Sequence, residues 1–257
     1  MIDIHAHILW QVDDGSRDLE MSKEMLRLAA SGGTQAIFAT PHVIDTYSSE
    51  DWQDALDKKK QLEAFAAIEH LPLKIYSGAE VMMNWDLLPL LGEDGICCMA
   101  SSRYMLVELP LYNIPVYADD FWYTLELKGI RPILAHPERY QRLEANYDLL
   151  LKWRRQGLLL QCNAGSFTGI FGREVKSGAE KLLAAGLVDF IGSDAHRTYG
   201  RNTDMSEAAD VIKALAGDEA FERIALKNPR KVIDNEEIEV IPPAPVKKRS
   251  WWRKLFS

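Results

Sequence analysis

Two histidines stand one residue apart near the start of the chain, in the segment "MIDIHAHILWQVDDGS". Side chains two positions apart in an extended strand point to the same face, so we expect His5 and His7 to lie side by side. The apolar neighbours and the turn-prone Asp-Asp-Gly-Ser predict a buried strand that runs into a loop. Two imidazoles at a strand end suit a metal ion, but H-x-H alone is a weak signal and such a pair could also be a core residue and a half-exposed one.

Other candidate residues come at the ends of further apolar segments, which read "ATPH", "SGAE", "LVEL", "ILAHPER" and "IGSDAH". Five of the six histidines hold such positions, whereas His70 lies at a predicted helix end and is expected to be solvated. Each residue alone could be a surface or turn residue, and only their joint placement favours a site. Asp13 is an alternative to its neighbour Asp14. The candidate metal ligands are His5, His7, Asp14, His42, Glu80, Glu108, His136, Asp194 and His196.

The elements that must position these residues alternate between strand and helix patterns. We predict strands near 2–9, 35–40, 73–80, 103–109, 131–136, 158–163 and 188–193. We predict helices near 18–31, 49–69, 115–128, 140–155, 173–185 and 204–226. This alternation predicts an α/β protein whose parallel sheet closes, or nearly closes, into a distorted (β/α)7 TIM-like barrel. The carboxyl ends of barrel strands form one rim that holds the active site, so the candidate residues should converge there.

The size of the predicted ligand set indicates more than one ion. Nine imidazole and carboxylate ligands are too many for a single metal, whereas three divalent ions with a carboxylate bridging two of them would use them all. Mixed nitrogen and oxygen ligands without thiolate suit manganese, iron or zinc. Ions a few ångströms apart neutralise the charge of a phosphate and generate hydroxide near neutral pH, which is a route to hydrolysis.

Composition excludes several classes of protein. The length of 257 residues fits a single barrel, and 47% hydrophobic with 26% charged residues is typical of a globular protein. No apolar run approaches the ~20 residues of a membrane helix, and the first residues do not form a signal peptide. Three cysteines indicate a reducing, cytoplasmic compartment, and a net charge of −8 argues against nucleic-acid binding.

The motifs together carry a family resemblance. "DIHAH", "TPH", "GAE", "HPER" and "GSDAH" resemble the PHP (polymerase and histidinol phosphatase) superfamily, which has a distorted seven-stranded barrel and a trinuclear metal site. "MIDIHAHILWQVDDGS", "SRYMLVEL" and "HPERY" are similar, more narrowly, to the manganese-dependent bacterial protein-tyrosine phosphatases of the CpsB/CapC type. Glu108 supports this narrower assignment, because many other superfamily members have a histidine there.

The resemblance implies a distribution of the ligands over three metal ions, with manganese expected. It places His5, His7, Glu80 and Asp194 on the first ion. Glu80 then bridges to a second ion held by Glu108 and His136. The third ion is held by Asp14, His42 and His196.

Two arginines each follow a candidate ligand within a few residues. Arg139 lies three residues after His136, and Arg201 five residues after His196. The planar fork of arginine binds phosphate oxygens in pairs, and the resemblance gives both arginines this catalytic role. Either could instead be a surface arginine paired with a carboxylate, in which case Arg197 and Arg142 are the nearby alternatives.

The resemblance also implies a substrate and a partner. It predicts hydrolysis of phosphotyrosine on the tyrosine-rich tail of a membrane-associated bacterial autokinase that controls capsule or exopolysaccharide export. Two alternatives stay open: a small-molecule phosphatase such as a histidinol-phosphate phosphatase, and a non-catalytic PHP module that binds metal.

One further motif argues for a different chemistry. Cys97 and Arg103 have the C-x5-R spacing of cysteine-dependent tyrosine phosphatases. Such loops need glycine and run from a strand into a helix, whereas this segment contains no glycine and precedes a predicted strand. We therefore expect Cys97 and Cys98 to be packed thiols of low reactivity.

The chain ends in a segment of different composition, "EVIPPAPVKKRSWWRKLFS". We predict a PHP-type phosphatase domain over residues 1–237 and a Pro-rich linker with a basic, Trp-containing tail over 238–257. Paired tryptophans among basic residues are typical of a segment that binds an anionic membrane surface, and the alternative is a disordered tail without a role. Such binding would place the cytoplasmic protein at the inner face of the membrane.

Overall fold

Parallel strands alternate with helices in the computed structural model, which describes residues 1–140, 143 and 146–240. The strands are β1 (Ile2–Ala6), β2 (Ala36–Ala39), β3 (His42–Val43), β4 (Lys74–Ser77), β5 (Glu80–Met82), β6 (Tyr104–Glu108), β7 (Arg131–Ala135), β8 (Leu159–Asn163) and β9 (Phe190–Gly192). The helices are α1 (Leu19–Ser31), α2 (Ser49–Ile68), α3 (Ala118–Leu127), α4 (Tyr147–Arg155), α5 (Ala164–Thr168), α6 (Arg173–Ala184), α7 (Ser206–Ala216), α8 (Asp218–Glu222) and α9 (Asn228–Ile233).

Strands occur at the seven predicted positions. The strands predicted near 35–40 and 73–80 are each followed, past a short break, by a second short strand, β3 and β5. The described strands form two parallel sheets, one with the order β1-β2-β4 and one with the order β3-β5-β6-β7-β8-β9. Thr40 and Pro41 separate β2 from β3, because proline has no N–H to donate to the ladder. Gly78 and Ala79 separate β4 from β5 in the same way.

Backbone hydrogen bonds join the end of β1 and the residues after it to the residues that follow β9, and so connect the two sheets. His7 N donates to Ala195 O at 3.0 Å, and Asp194 N donates to His5 O at 2.7 Å. The buried carboxylate of Asp3 adds a side-chain contact, since its Oδ1 accepts from Ser193 N at 2.9 Å. The α/β fold predicted from the sequence, a distorted (β/α)7 TIM-like barrel, is confirmed.

Local signals explain where several helices begin and end. Ser48 caps α2 in a capping box with Asp51, as the acidic first turn predicts. The predicted helix 204–226 is divided at Gly217, whose φ of 86° and ψ of 165° end α7 before α8. Between β5 and β6 the described chain forms short 3-10 turns in place of an α-helix, which makes the barrel uneven. Among the described helices, none has the length and apolarity required to cross a membrane.

The cysteine motif forms no anion-binding loop. Cys97 and Cys98 are buried and free, and burial raises the pKa of Cys98 to about 11. Burial raises the pKa of Cys97 further, whereas a nucleophilic thiolate needs a lowered value. Arg103 lies at the surface, where its Nε donates to Asn235 Oδ1 at 3.1 Å. This agrees with the expectation of packed thiols.

The chain remains packed against the barrel near the end of the described residues. Ile238 is buried, and its N–H donates to the Tyr104 hydroxyl at 3.1 Å. That hydroxyl donates in turn to Glu236 O at 2.6 Å. The basic, Trp-containing part of the predicted tail lies outside the described residues, and the boundary after residue 237 stays a prediction.

Candidate metal centre

The nine predicted ligands converge at one rim of the barrel, where β1, β2, β4, β6, β7 and β9 end and where His42 and Glu80 begin the short strands β3 and β5. β1, β3, β5 and β6 carry ligands directly, and the loops after β1, β7 and β9 supply the others. His70 lies apart from them, exposed at the end of α2, as predicted. The structure thus brings all nine predicted ligands together in three overlapping groups.

The first group is fully buried between β1, β5 and the loop after β9. Glu80 Oε2 lies 3.0 Å from His5 Nε2 and 3.1 Å from His7 Nε2. Asp194 Oδ1 lies 3.6 Å and 3.5 Å from the same two nitrogen atoms. Four ligand atoms therefore surround one point, with both imidazoles and both carboxylates excluded from solvent.

The second group surrounds the other side of Glu80. His136 Nε2 lies 2.7 Å from Glu80 Oε1 and 4.0 Å from Glu108 Oε2. His42 Nδ1 lies 3.3 Å from Glu80 Oε2 and 3.1 Å from Glu108 Oε1. Because the two oxygens of Glu80 face different histidines, this carboxylate is placed to bridge two ions.

The third group is the most open. Asp14 Oδ1 lies 3.2 Å from His196 Nε2 and 3.5 Å from His42 Nε2, and the Asp14 side chain is 70% exposed. Arg197, an alternative phosphate-binding residue from the sequence, instead donates from Nη1 to the carbonyl oxygens of Asp14, Gly15 and His196 at 2.6, 2.7 and 2.6 Å. Arg197 therefore holds the loop that carries Asp14, while Arg142 lies outside the described residues.

Two polar residues on β8 orient the buried group, and sequence reasoning missed both. Gln161 Oε1 lies 3.0 Å from His5 Nδ1, and Gln161 Nε2 donates to Asn163 Oδ1 at 2.9 Å. Asn163 Nδ2 donates to Asp194 Oδ2 at 2.6 Å. The available signal was the alternation of polar residues in the otherwise apolar segment "LLLQCN", which places Gln161 and Asn163 on one face.

Asp13 has a role distinct from that of its neighbour Asp14. Its Oδ2 lies 2.7 Å from His7 Nδ1 and also accepts from His42 N at 2.9 Å. Its Oδ1 accepts from Gly15 N at 2.8 Å. Asp13 thus fixes the ring of His7 with Nε2 toward the first group, which is the usual arrangement of a carboxylate behind a metal-binding histidine.

Opposite charges set the protonation of the buried groups. Burial raises the pKa values of Glu80 and Asp194, but the charge of His5 and the interactions with the other imidazoles together outweigh this and hold both pKa values well below their ordinary range. For His7, burial lowers the pKa, but Asp13 together with hydrogen bonds to Asp194 and Glu80 raises it well above its ordinary value. The pKa of Asp13, raised by burial, is lowered to about 2 by His7. The carboxylates are therefore ionised and strongly attract cations.

The two predicted phosphate-binding arginines reach the same carboxylate. Arg139 Nη1 donates to Asp194 Oδ2 at 2.9 Å, and Arg201 Nη2 forms an ion pair with Asp194 Oδ1 at 2.6 Å. Arg201 Nε also donates to Asp194 O at 3.1 Å. Both side chains are partly exposed, so positive charge borders the first group on its solvent side.

The donor chemistry of this centre fits divalent metal ions. The Nδ1 atom of His42 is buried and has no hydrogen-bond partner among the described residues. His42 Nδ1 lies only 3.1 Å from Glu108 Oε1, a close approach of the kind expected for two ligands of one ion. Imidazole and carboxylate donors without thiolate suit zinc, iron or manganese.

Comparisons with known proteins agree with this geometry. Residues 1–234 match the family described as capsular polysaccharide synthesis, CpsB/CapC. The tyrosine-protein phosphatase YwqE of Bacillus subtilis (strain 168) is 34% identical over 256 residues, covering 100% of this chain and 99% of that protein.

Solved structures show the same barrel. The crystal structures of YwqE from Bacillus subtilis and CpsB from Streptococcus pneumoniae, described as unique metal-dependent tyrosine phosphatases, include a chain with a TM-score of 0.87 and 35% identity, covering 96% of this chain and 100% of that chain. Histidinol phosphate phosphatase from Lactococcus lactis, complexed with zinc, L-histidinol and phosphate, has a TM-score of 0.54 at 14% identity, covering 83% of this chain and 93% of that chain. At that identity the likeness shows the fold alone.

Proposed function

The chain belongs to the CpsB/CapC family of capsular polysaccharide synthesis, and on this premise we propose that it is a metal-dependent protein-tyrosine phosphatase. The observation that carries the proposal is the junction at Asp194. This buried carboxylate lies close to the imidazole nitrogens of the first group, accepts a hydrogen bond from Arg139 and forms an ion pair with Arg201. A phosphate at this junction would meet metal ions on one side and guanidinium groups on the other.

The proposal distributes the nine ligands over three ions. His5, His7, Glu80 and Asp194 would hold the first. Glu80, Glu108 and His136 would hold the second. Asp14, His42 and His196 would hold the third. The overlapping groups of ligand atoms around Glu80 and the two histidines His7 and His42 support such a cluster of adjacent positions.

The chain's own residues supply binding, orientation and charge. When bound, divalent ions would neutralise a phosphate ester and lower the pKa of a water for attack on phosphorus. Arg139 and Arg201 would hold phosphate oxygens through their planar forks, which carry more donors than Asp194 occupies. Glu80 and Asp194 stay ionised and would help to retain divalent ions. The phenolate of tyrosine is a good leaving group, so the reaction needs little general-acid help.

The proposal extends to the metal, the partner and the location. We expect manganese, with iron or zinc as the alternatives that the donor set also accepts. The partner would be a phosphotyrosine-containing protein, the tail of a membrane-associated bacterial tyrosine kinase of capsule or exopolysaccharide synthesis. The protein would be cytoplasmic, with a phosphatase domain over 1–237 and a tail over 238–257 that reaches the inner membrane surface.

Two alternatives compete with this function. A small-molecule phosphatase such as a histidinol-phosphate phosphatase would use the same metal chemistry on a different alcohol. A non-catalytic module that binds metal would need no complete cluster, so the convergence of all nine candidate ligands argues against it.

Assays of the purified full-length protein against a phosphotyrosyl peptide and histidinol phosphate test the choice. The protein is first depleted with a chelator and then reloaded with manganese, iron or zinc. We expect turnover of the peptide that chelation abolishes and manganese restores best. Preference for histidinol phosphate would favour the first alternative, and binding of metal without hydrolysis of either ester would favour the second.

Deletion of residues 246–257 tests the role proposed for the tail. Five basic residues near an anionic surface contribute roughly 1 kcal/mol each, and Trp251 and Trp252 add interfacial burial. The truncated protein should hydrolyse a soluble phosphopeptide like the full chain but bind anionic vesicles less. Equally poor sedimentation of both proteins with such vesicles would contradict the membrane role.

A further inference from the structure

A phenylalanine lies beneath both arginines of the centre. The guanidinium carbon of Arg139 is 4.8 Å from the ring centroid of Phe171, and that of Arg201 is 5.4 Å from the same centroid. Both distances fall within the range of cation–π attraction. The two guanidinium groups that share the Asp194 carboxylate therefore also share one aromatic ring.

The loop between α5 and α6 is built to present this ring. Gly169 and Gly172 flank the segment with φ values of 87° and 94°, a backbone region that favours glycine. Gly165 leaves room for the ring, because a Cβ there would lie 3.2 Å from Phe171 Cε2. The adjacent Ile170 is 51% exposed, whereas Phe171 is half-buried. The loop thus turns one of its two large apolar side chains toward the arginines.

We propose that Phe171 is a positioning residue that holds Arg139 and Arg201 in the orientation that binds the phosphoryl group. This inference rests on the proposed phosphatase function. The three residues follow three successive strands of the sheet, β7, β8 and β9, so the ring stands between two arginines that come from either side of its own strand. Asp194 would fix the ends of the guanidinium groups while Phe171 fixes their planes.

The physical need for such a residue comes from the nature of arginine. Arginine has a long side chain that loses much rotamer freedom when it is ordered, and two guanidinium groups near one carboxylate repel each other. The electron-rich face of an aromatic ring attracts both cations and restricts their motion. An aliphatic side chain of similar volume would keep the packing but lose that attraction.

Steady-state kinetics of Phe171→Leu, Phe171→Tyr and Ile170→Ala, each loaded with manganese, test the proposal. Phe171→Leu should lower kcat/KM for a phosphotyrosyl peptide by about tenfold, the size of a cation–π contribution at a partly desolvated site. The inhibition constant of inorganic phosphate should rise in parallel. Phe171→Tyr keeps the aromatic face and should retain activity, and Ile170→Ala controls for loss of an apolar side chain from the same loop.

A double-mutant cycle separates positioning from mere structural support. In an Arg139→Ala background, Phe171→Leu should cost clearly less than in the wild-type chain, because one of its two partners is gone. Metal content and melting temperature should match the wild type in all Phe171 variants.

Two results would overturn the proposal. In one, the wild type is active and Phe171→Leu has the same kcat/KM. In the other, Phe171→Leu and Phe171→Tyr lose kcat/KM to the same extent. A wild-type protein that hydrolyses no phosphotyrosine would instead contradict the proposed function itself. Inhibition constants cannot then be measured, and direct binding of inorganic phosphate to the manganese-loaded variants decides on Phe171. Equal phosphate affinity in Phe171→Leu and the wild type would overturn its role.

Discussion

The Nε2 atoms of His5 and His7 face each other at 3.1 Å, while the Nδ1 atom of each ring is held by an acceptor. Gln161 Oε1 lies 3.0 Å from His5 Nδ1, and Asp13 Oδ2 lies 2.7 Å from His7 Nδ1. When both Nδ1 atoms donate, two lone pairs point toward each other. Such an arrangement is stable only when a cation, either a proton or a metal ion, lies against these lone pairs.

We expect manganese binding to release protons near neutral pH. Burial lowers the pKa of His7, but Asp13, Asp194 and Glu80 together raise it well above its ordinary value, so His7 keeps a proton until the pH exceeds that raised pKa. A metal ion that takes the Nε2 lone pair must displace this proton, and apparent affinity should therefore rise with pH. Calorimetric titration with manganese in buffers of different ionisation enthalpy measures the number of protons released. A binding enthalpy that does not vary with the buffer would contradict this.

Gln161→Leu should weaken metal binding without unfolding the barrel. The variant removes the acceptor of His5 Nδ1 and the donor to Asn163, so the His5 ring loses its fixed orientation. Loss of such an outer partner typically costs about 10–100-fold in metal affinity or activity. Competition with a fluorescent chelator measures the affinity. Cys162→Ala on the same strand is the control, since it removes a buried thiol and should leave metal affinity unchanged.

Activity should depend on metal and be independent of thiols. Glu80→Gln replaces one oxygen of the carboxylate that we propose bridges two ions, and His136→Ala removes a nitrogen 2.7 Å from that carboxylate. Either change should lower kcat by more than loss of a residue that only contacts a ligand, which costs about 10–100-fold. Chelation should abolish turnover. Cys97→Ser should keep full activity with phosphotyrosyl peptide. Loss of activity in Cys97→Ser together with resistance to chelator would restore the cysteine mechanism.

Arg139→Ala should impair phosphate handling and leave the metal content at the wild-type level. A lost charge-assisted contact with phosphate costs roughly 1.5–3 kcal/mol, or one to two decades in kcat/KM. Asp194 keeps Arg201 and Asn163 as partners, so the centre should retain its ions. Kinetics and elemental analysis of the same preparation measure both quantities. Wild-type kinetics in this variant would exclude Arg139 from the site.

The sequence was sufficient to predict the scaffold and the meeting of the ligands. Apolar runs alternating with helical patterns predicted seven strand positions, and the carboxyl ends of parallel strands necessarily meet at one rim. For this reason residues as distant as His5 and His196 could be assigned to one site, and the structure places both in contact with neighbouring ligand groups.

Other features depended on contacts that one-dimensional patterns do not contain. Asp13 and Asp14 are chemically identical and adjacent, so only the fold shows that Asp13 holds His7 while Asp14 faces His196. Gln161 lies in a segment that its apolar residues predicted to be a buried strand, so its contact with His5 could not be predicted. Phe171 contacts Arg139 and Arg201, which lie about thirty residues before and after it in the sequence. Local sequence patterns do not extend over that separation, so these contacts could not be predicted.

The seam between β1 and β9 ties the centre to the folding of the whole chain. The first group of candidate ligands takes His5 and His7 from the start of the chain and Asp194 from the segment after the last strand, so these residues meet only after a long stretch of chain has folded back on itself. Long-range contacts of this kind form late and slow the search for the native state. An ion bound there has no counterpart in the unfolded chain and stabilises the closed barrel by mass action, about 2.7 kcal/mol at a concentration one hundred times its Kd. Cellular metal supply would thereby govern the lifetime of the folded protein as well as its activity.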